Sequence, residues 1–561
     1  MAHVHSRLVD SAQRLVDAMD SLSVSATNPL GSDRVALVKA IWSMEEAVTL
    51  AGQQARLVEA RMIGTHAPGG EDIAQLSCLR RQAKTLAKTT QALGDAVERY
   101  FVSYVTSLAR SGEMVQTLLS HFDDQIMGIA REVLDSTSDE SHAAREILER
   151  CYDQALDHSG ALHVDNYFVP LGEASLGRPY DADFESEAYY QHQERLYSDE
   201  GYAKAHLARY EREAEQERRQ KEEWIGFWVQ ALSRCPDGPT LFYPPASRQP
   251  QCKLKMVPRY LFRTFDHAIS GRNDGDIIAS SESISSRSDY AKIDLLARPE
   301  EEAARMLERH LRKPCFDDDN SADNLVSWSS SLLFVIQYAI WRRRCRGSSP
   351  AEVKICMVDT TQFPRGQFAR DTALIEPYRE NIRAEIFEFR LEAKDYDNGE
   401  YLSQGILHHA GRSSVVSLAQ LIEAGLHDLY PEFSDRDAKG KWTNRVKELR
   451  AIWSVEHISS TLEIQRALEI ARTCFPIFNA TDVALLLLSF KPRKLQESAE
   501  ISQSSFDKYG PREVQRYMKI AASMFPRRGR ASEDLTGSCV LDNQLLKNVF
   551  ECAGPSTVYS W

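Results

Sequence analysis

Apolar side chains in the first 160 residues recur at helical spacing. From Leu76 to Tyr104, apolar and small residues alternate three and four positions apart over four heptads, which lines one face of a helix. Similar patterns begin at Leu37 and at Met114. We therefore predict an N-terminal helical bundle over residues 1–160. Its apolar stripes either pack on one another, which is their commoner use, or form a surface that binds a protein partner.

Residues 161–250 have a different pattern. A loop with several glycines and prolines is followed by a predicted helix from about Glu185 to Leu232. The middle of this helix, YEREAEQERRQKEE, mixes both signs of charge, which is typical of a solvent-exposed face. The prolines between Pro236 and Pro250 then predict a linker and a domain boundary.

Short β-rich runs alternate with helices beyond residue 250. One helix opens at Pro299 with acidic residues in its first turn, and another follows Ser331, both favourable helix starts. Because the runs are short and irregularly spaced, we predict an α+β domain over residues 251–433 rather than a doubly wound sheet. The four runs are 260–265, 353–358, 384–391 and 414–418.

Helical spacing returns in the last part of the chain. An amphipathic pattern surrounds residues 462–471, an apolar segment covers 484–490, and a further helix is expected over 514–524. We predict a C-terminal helical region over residues 434–525 and a mobile tail over 526–561.

Composition narrows the function classes. The 561 residues are 43% hydrophobic and 27% charged, as in ordinary globular proteins, and the formal net charge of −13 argues against nucleic acid as a partner. No apolar stretch approaches the length of a membrane span, so no membrane association is expected. The ten cysteines show no Cys-x-x-Cys pair. We therefore expect no metal site and an intracellular, cytoplasmic location.

Common nucleotide-binding and hydrolase signatures such as GxxxxGK[ST], GxGxxG, HExxH and GxSxG do not occur. Three short segments of the predicted α+β domain carry the candidate chemistry instead. The first is YLFR, in which Arg263 closes an aromatic strand and offers a planar fork for phosphate or carboxylate. Taken alone, this arginine is more simply interpreted as a residue of an edge strand that is exposed to water or paired with a local acid.

The other two segments carry hydroxyls and a carboxylate. The stretch LVSWSSSL holds Ser327, Ser329 and Ser330 in a strand-to-helix turn, where hydroxyls brace a neighbouring strand or simply cap the helix. The stretch DNGEYLSQG contains a turn that places Glu400 at the start of an extended segment. A carboxylate there could stabilise positive charge on a sugar ring, although a surface glutamate after a turn is the simpler interpretation.

The order of these segments, Arg, then Ser-x-Ser, then Glu, resembles the arginine–serine–glutamate class of ADP-ribosyltransferases, the branch of the cholera and heat-labile enterotoxins. That resemblance implies two small perpendicular sheets, split around a cleft that binds NAD as a substrate. It implies that Arg263 holds the NAD phosphates and ribose, and that Ser327 with Ser329 braces the cleft, with Ser330 an alternative in the same stretch. It also implies that Glu400 stabilises the oxocarbenium-like transition state.

Two further positions follow from the same resemblance. Asn398 occupies the place where arginine-modifying members carry a glutamate, so NAD hydrolysis or transfer to another acceptor is more consistent with the chain than transfer to arginine. Tyr396 lies where such enzymes place an aromatic residue that contacts the target, and a ring that packs the turn is an equal alternative. The blocks YLFR, SWSSSL and EYLSQG also resemble an uncharacterised domain of filamentous-fungal proteins.

Two functions of different classes remain open at this stage. The first is an ADP-ribosyltransferase or NAD glycohydrolase that cleaves the nicotinamide–ribose bond and has an unknown protein acceptor. The second is a non-catalytic scaffold, in which the helical regions bind a partner and the α+β domain is a degenerate relative. A basic-patch nucleic-acid binder that uses the arginines at 342–346 is less consistent with the sequence, because cations suit a helix C-terminus.

Overall fold

A computed structural model describes the part of the chain analysed below. The described residues are 49, 52–53, 56, 70–108, 113–136, 142–157, 160–167, 187–235, 237–244, 257–285, 292–312, 323–382, 388, 390, 399–434, 442–455 and 459–491. Asn398, Tyr396, the predicted helix over 514–524 and the tail over 526–561 lie outside these residues. The chain divides into two units, residues 1–147 with 166–170, and residues 148–165 with 171–561.

The described part of the first unit is mainly helical. The helix predicted between Leu76 and Tyr104 is confirmed as α1, Ile126 and Val133 are buried in a following helix, and Phe122 is buried in the turn before it. The described helices are α1 (Gly70–Leu108), α2 (Glu113–His121) and α3 (Asp123–Ser136), while α4 (Ala143–Leu156) crosses the boundary between the units.

The charged helix of the second unit is interrupted. The prediction of a single helix from about Glu185 to Leu232 is wrong, because Asp199 separates α5 (Glu187–Ser198) from α6 (Glu200–Arg234). The Asp199 carboxylate accepts the backbone N–H of Tyr202 at 3.0 Å, so it caps α6 as an aspartate at N-cap does. Near its end, α6 buries Trp224 and Trp228.

Part of the predicted linker lies in the core of the second unit. Thr240 forms an antiparallel bridge with Gln404, and Phe242 is buried in a cluster with Leu295 and Leu402. The backbone of this segment therefore continues the domain that follows it.

Two antiparallel sheets form the centre of the second unit, which has the α+β architecture expected from the sequence. The larger sheet has the strand order β6-β7-β4-β1-β5-β9, and the smaller has the order β2-β3-β8. The strands are β1 (Tyr260–Phe265), β2 (Arg272–Asn273), β3 (Ile277–Ala279), β4 (Leu325–Ser329), β5 (Lys354–Asp359), β6 (Ala369–Arg370), β7 (Glu400–Gln404), β8 (Ile406–His408) and β9 (Ser413–Ser417).

The remaining described α-helices belong to the second unit. They are α7 (Ser281–Ser285), α8 (Glu300–Arg312), α9 (Leu332–Arg346), α10 (Asp371–Ile375), α11 (Leu418–Glu423), α12 (Leu426–Leu429), α13 (Trp442–Ile452), α14 (Thr461–Cys474) and α15 (Ala480–Leu488). The strand predicted over 384–391 is described only at residues 388 and 390, where the backbone is π-helical rather than extended.

Three apolar clusters hold these layers together. One joins β1, β5 and α9 to the C-terminal helices through Phe262, Tyr338, Leu468 and Leu487. A second packs α8 onto β4 and β7, and a third lies between the two sheets. The C-terminal helices as far as α15 therefore share a core with the sheet. Among the described helices, none has the length and apolar character that a bilayer crossing requires.

Candidate functional site

The sheet brings the serine and glutamate segments side by side. In the antiparallel pair of β4 and β7, Ser329 lies opposite Glu400 and Ser327 lies opposite Leu402. The pairing begins at Gly399, whose carbonyl accepts the N–H of Ser330 at 2.8 Å. Gly399 has a φ of 63°, and a Cβ there would lie 2.0 Å from the Ser330 hydroxyl oxygen. The positive φ together with the nearby hydroxyl favours glycine at this start of β7 against β4.

The Ser327 hydroxyl belongs to a buried hydrogen-bond chain. Its Oγ is 2.8 Å from Nε2 of His310 on α8, and Nδ1 of His310 is 3.0 and 3.1 Å from the two carboxylate oxygens of Asp323. The Ser327 hydroxyl also lies on the same face of the sheet as Glu400 and helps to lower the pKa of that carboxyl. Asp323 therefore orients an imidazole that holds the Ser327 hydroxyl beside Glu400.

Glu400 is paired with an arginine that the sequence analysis did not single out. Its side chain is only 2% exposed, and its Oε2 accepts a hydrogen bond from Nη1 of Arg390. Arg390 also donates from Nη1 to Asp371 at 3.1 Å and from Nη2 to the Leu311 carbonyl at 2.9 Å. The guanidinium thus joins α8, α10 and β7 around the carboxylate.

The charge of Glu400 is maintained despite burial. Burial disfavours the carboxylate anion and raises its pKa, but the adjacent Arg390 guanidinium, its hydrogen bond, the nearby His310 and the Ser327 hydroxyl together lower the pKa below its ordinary value of 4.5. Glu400 is therefore ionised at neutral pH, which is the state that electrostatic stabilisation of a cation requires.

Arg263 lies beside this group but on the other face of the sheet. Phe262 pairs with Ser329, and side chains alternate along a strand, so Arg263 points away from the face that carries Ser329 and Glu400. Its Nη1 donates to the Ser327 carbonyl at 2.8 Å, and its Nε donates to the Asn273 side chain at 3.1 Å. In this conformation Arg263 holds the β4 backbone, and its predicted contact with phosphate stays a prediction.

The other serines stabilise the turn between β4 and α9. Ser329 Oγ accepts the N–H of Ser331 at 3.0 Å, and Ser331 Oγ caps α9 by accepting the N–H of Phe334 at 3.3 Å. Ser330 uses its N–H on Gly399. Of the three predicted serines, Ser327 is the one whose hydroxyl contributes to the pKa of Glu400, and the other two stabilise the turn.

Sequence reasoning missed four residues of this site: His310, Asp323, Asp371 and Arg390. His310 had a usable signal, because it falls with Ala303 and Leu307 on the apolar face of α8, where a histidine needs a partner. The contact of Arg390 had no sequence signal, since it depends on the meeting of three elements. Within the described ranges, no cluster of three or more His, Cys, Asp or Glu side chains could hold a metal ion.

Comparison with known proteins gives one match. Residues 256–411 match a family model described as a domain of unknown function (DUF7587), and these residues include Arg263, Ser327 and Glu400. No curated protein and no solved structure matches the chain.

Proposed function

We propose that the α+β domain binds NAD and cleaves its nicotinamide–ribose bond, as an ADP-ribosyltransferase or an NAD glycohydrolase. The observation that carries the proposal is an ionised Glu400 on the same face of adjacent central strands as the Ser327 hydroxyl, with Arg263 bonded to the Ser327 backbone. Arg263 itself lies on the opposite face, so it is the order of the arginine, the serine and the glutamate on neighbouring strands that agrees with an ADP-ribosyltransferase-like split-sheet fold.

The chemistry follows from the charge of Glu400. Loss of nicotinamide leaves positive charge on the ribose, and a fixed carboxylate stabilises a developing cation better than water does because it needs no reorganisation. Ser327 and His310 would hold the carboxylate in one orientation, and Asp323 would hold His310. We place this activity in the cytoplasm, where NAD is available and where the six described cysteines, which form no disulfide bond with one another, would stay reduced.

The direct test is nicotinamide release from NAD by the full chain. We expect Glu400→Gln to lower the rate by about a hundredfold or more, because the amide keeps the shape of the side chain and removes its charge. Glu423→Gln, which changes an exposed glutamate at the end of α11, is the matched control and should leave the rate unchanged.

One observation favours a second candidate, a non-catalytic scaffold. Glu400 is buried and already paired with Arg390, so its carboxylate could serve only to hold α8, α10 and β7 together. Under this alternative, nicotinamide release would not depend on residue 400. Equal rates for the wild-type chain and for Glu400→Gln would reject the catalytic proposal and leave the scaffold.

A further inference from the structure

Arg390 is the side chain that stands in the way of a ligand at Glu400. The whole Glu400 residue is 1% exposed, so a ribose hydroxyl cannot reach its carboxylate unless a present partner moves away. The guanidinium contacts Glu400 itself and fills three acceptors at once. Any ligand of Glu400 must therefore compete with Arg390 or with the hydroxyl of Ser327.

The two partners of Glu400 differ in how easily they can leave. Ser327 lies on β4, which has β1 on one side and β7 on the other in the larger sheet. Ser327 pairs with Leu402 of β7, its carbonyl accepts from Arg263, and its hydroxyl is held by His310. Arg390 reaches Glu400 with a long side chain that is still 11% exposed. A long cationic side chain can turn its head toward water by rotation about its own bonds, whereas a central strand cannot shift without breaking its ladder. Arg390 is the partner that can be displaced.

The charges at the site support displacement by a cation. If the guanidinium leaves with nothing in its place, the buried Glu400 anion loses its main source of stabilisation. A ligand that brings or develops positive charge beside the carboxylate replaces what is lost. The nicotinamide ring of NAD is cationic, and the ribose becomes cationic as the bond breaks. The exchange of one cation for another is therefore electrostatically balanced.

We propose that Arg390 is an autoinhibitory side chain, which occupies the Glu400 carboxylate through a three-acceptor contact until a cationic nicotinamide ribose displaces it. This inference rests on the proposed function and adds its regulation. The resting protein is held inactive by a bond within the site, and the intrinsic rate of NAD cleavage depends on how strongly Asp371 and the Leu311 carbonyl retain the guanidinium.

The test replaces Arg390 and measures both rate and stability. In Arg390→Gln, we expect nicotinamide release to rise by roughly tenfold or more, because a charge-assisted hydrogen bond no longer has to be broken. The melting temperature should fall, because the buried carboxylate has lost its cation. A purely structural arginine would give a lower melting temperature together with an unchanged or lower rate.

The pH profile gives a second signature. Without the guanidinium, burial raises the pKa of Glu400, so the gain in rate should be largest at the alkaline end of a series from about pH 6 to pH 9. Arg305→Gln is the matched control, because Arg305 is an exposed arginine of α8 that donates to the Glu301 carbonyl of its own helix. It should leave both the rate and its pH profile unchanged.

The outcomes separate this inference from the proposed function. If Glu400→Gln lowers the wild-type rate but Arg390→Gln does not raise it, the autoinhibitory role is wrong and the catalytic proposal stands. If residue 400 has no influence in either background, the catalytic proposal itself is wrong. Should Arg390→Gln fail to fold, Arg390→Lys keeps the charge but cannot bridge all three acceptors, and an unchanged rate in that variant would overturn the inference.

Discussion

A buried and a half-buried carboxylate of the second unit, Glu400 and Asp294, show how the immediate partner decides the charge state. Glu400 has a guanidinium beside it, and its pKa lies below the ordinary value although burial opposes ionisation. Asp294 has amide donors instead, from the backbone of Tyr243 and Leu296 and from the Gln404 side chain. Burial outweighs these donors and raises the pKa of Asp294 to about 6. A charged partner therefore separates a carboxylate suited to electrostatic catalysis from one that holds loops together.

The pH dependence of stability should reveal Asp294. Its pKa is higher in the folded protein than its ordinary value of 3.8, so the unfolded chain ionises first as the pH rises. The free energy of unfolding should therefore fall between about pH 4 and pH 6, by an amount of the order of 3 kcal/mol from this residue. Urea denaturation of the wild-type chain and of Asp294→Asn across this range measures the effect.

The variant should be less stable overall, because an amide cannot accept from all three donors, but it should lack this part of the pH dependence. Asp237→Asn changes an exposed carboxylate of the segment that contains Tyr243 and should keep the wild-type pH profile. Parallel pH profiles for wild type and Asp294→Asn would show that Asp294 does not titrate in this range.

At the scale of elements, a buried ion pair ties α9 to the end of β1. Nε of Arg342 donates to Asp266 at 2.7 Å and Nη2 at 2.6 Å, and both side chains are buried. The hydroxyls of Tyr338 and Ser348 complete the group. The helix α9 packs on the face of the sheet that carries Phe262 and Thr264. The ion pair therefore holds α9 against the central strands.

Breaking this pair on one side should be costly. Asp266→Asn or Arg342→Met alone leaves a buried charge without a partner, and each should lower the free energy of unfolding by about 3–5 kcal/mol. The double variant Asp266→Leu with Arg342→Met removes both charges and should lose less than the sum of the single changes. Arg343→Met, at an exposed position of the same helix, should have little effect. Additive losses in denaturant titrations would contradict this account.

Local signals explain which elements could be predicted. The helix α8 follows Pro299, has three acidic residues in its first turn and carries an apolar stripe. The helix α9 is capped by Ser331. The bounds of β1 agree with the aromatic run at 260–265. In contrast, the break at Asp199 was missed because the charged pattern runs on across it, although the residue itself is a good N-cap.

The candidate site was predictable only in part, for the same reason. Arg263, Ser327 and Glu400 were proposed as candidate site residues from their order along the chain, and they lie on the consecutive strands β1, β4 and β7 of the larger sheet. Arg390 and Glu400 are ten residues apart, and the sequence between them has no clear hydrophobic period. Asp371, the other carboxylate that Arg390 contacts, directly follows the edge strand β6. Contacts of this kind follow from the tertiary arrangement and leave no local pattern to read.

At the scale of the whole molecule, the matched family segment is smaller than the folded core that surrounds it. Residues 256–411 contain Arg263, Ser327, Glu400 and most of both sheets. They lack β9, which pairs with β5, and they lack every helix from α11 to α15. They also lack Phe242, which packs under α8. The apolar cluster around α9 draws about two thirds of its members from beyond residue 411.

We therefore expect residues 256–411 alone not to fold cooperatively, whereas residues 143–491 should do so. The short segment would leave the apolar face of α9 and one edge of β5 open to water, and the lost burial is a large part of what offsets chain entropy. Thermal and urea unfolding, followed by near-ultraviolet circular dichroism, distinguishes the two fragments. Cooperative unfolding of 256–411, with the melting temperature of the longer fragment, would show that the sheets hold the site without the C-terminal helices.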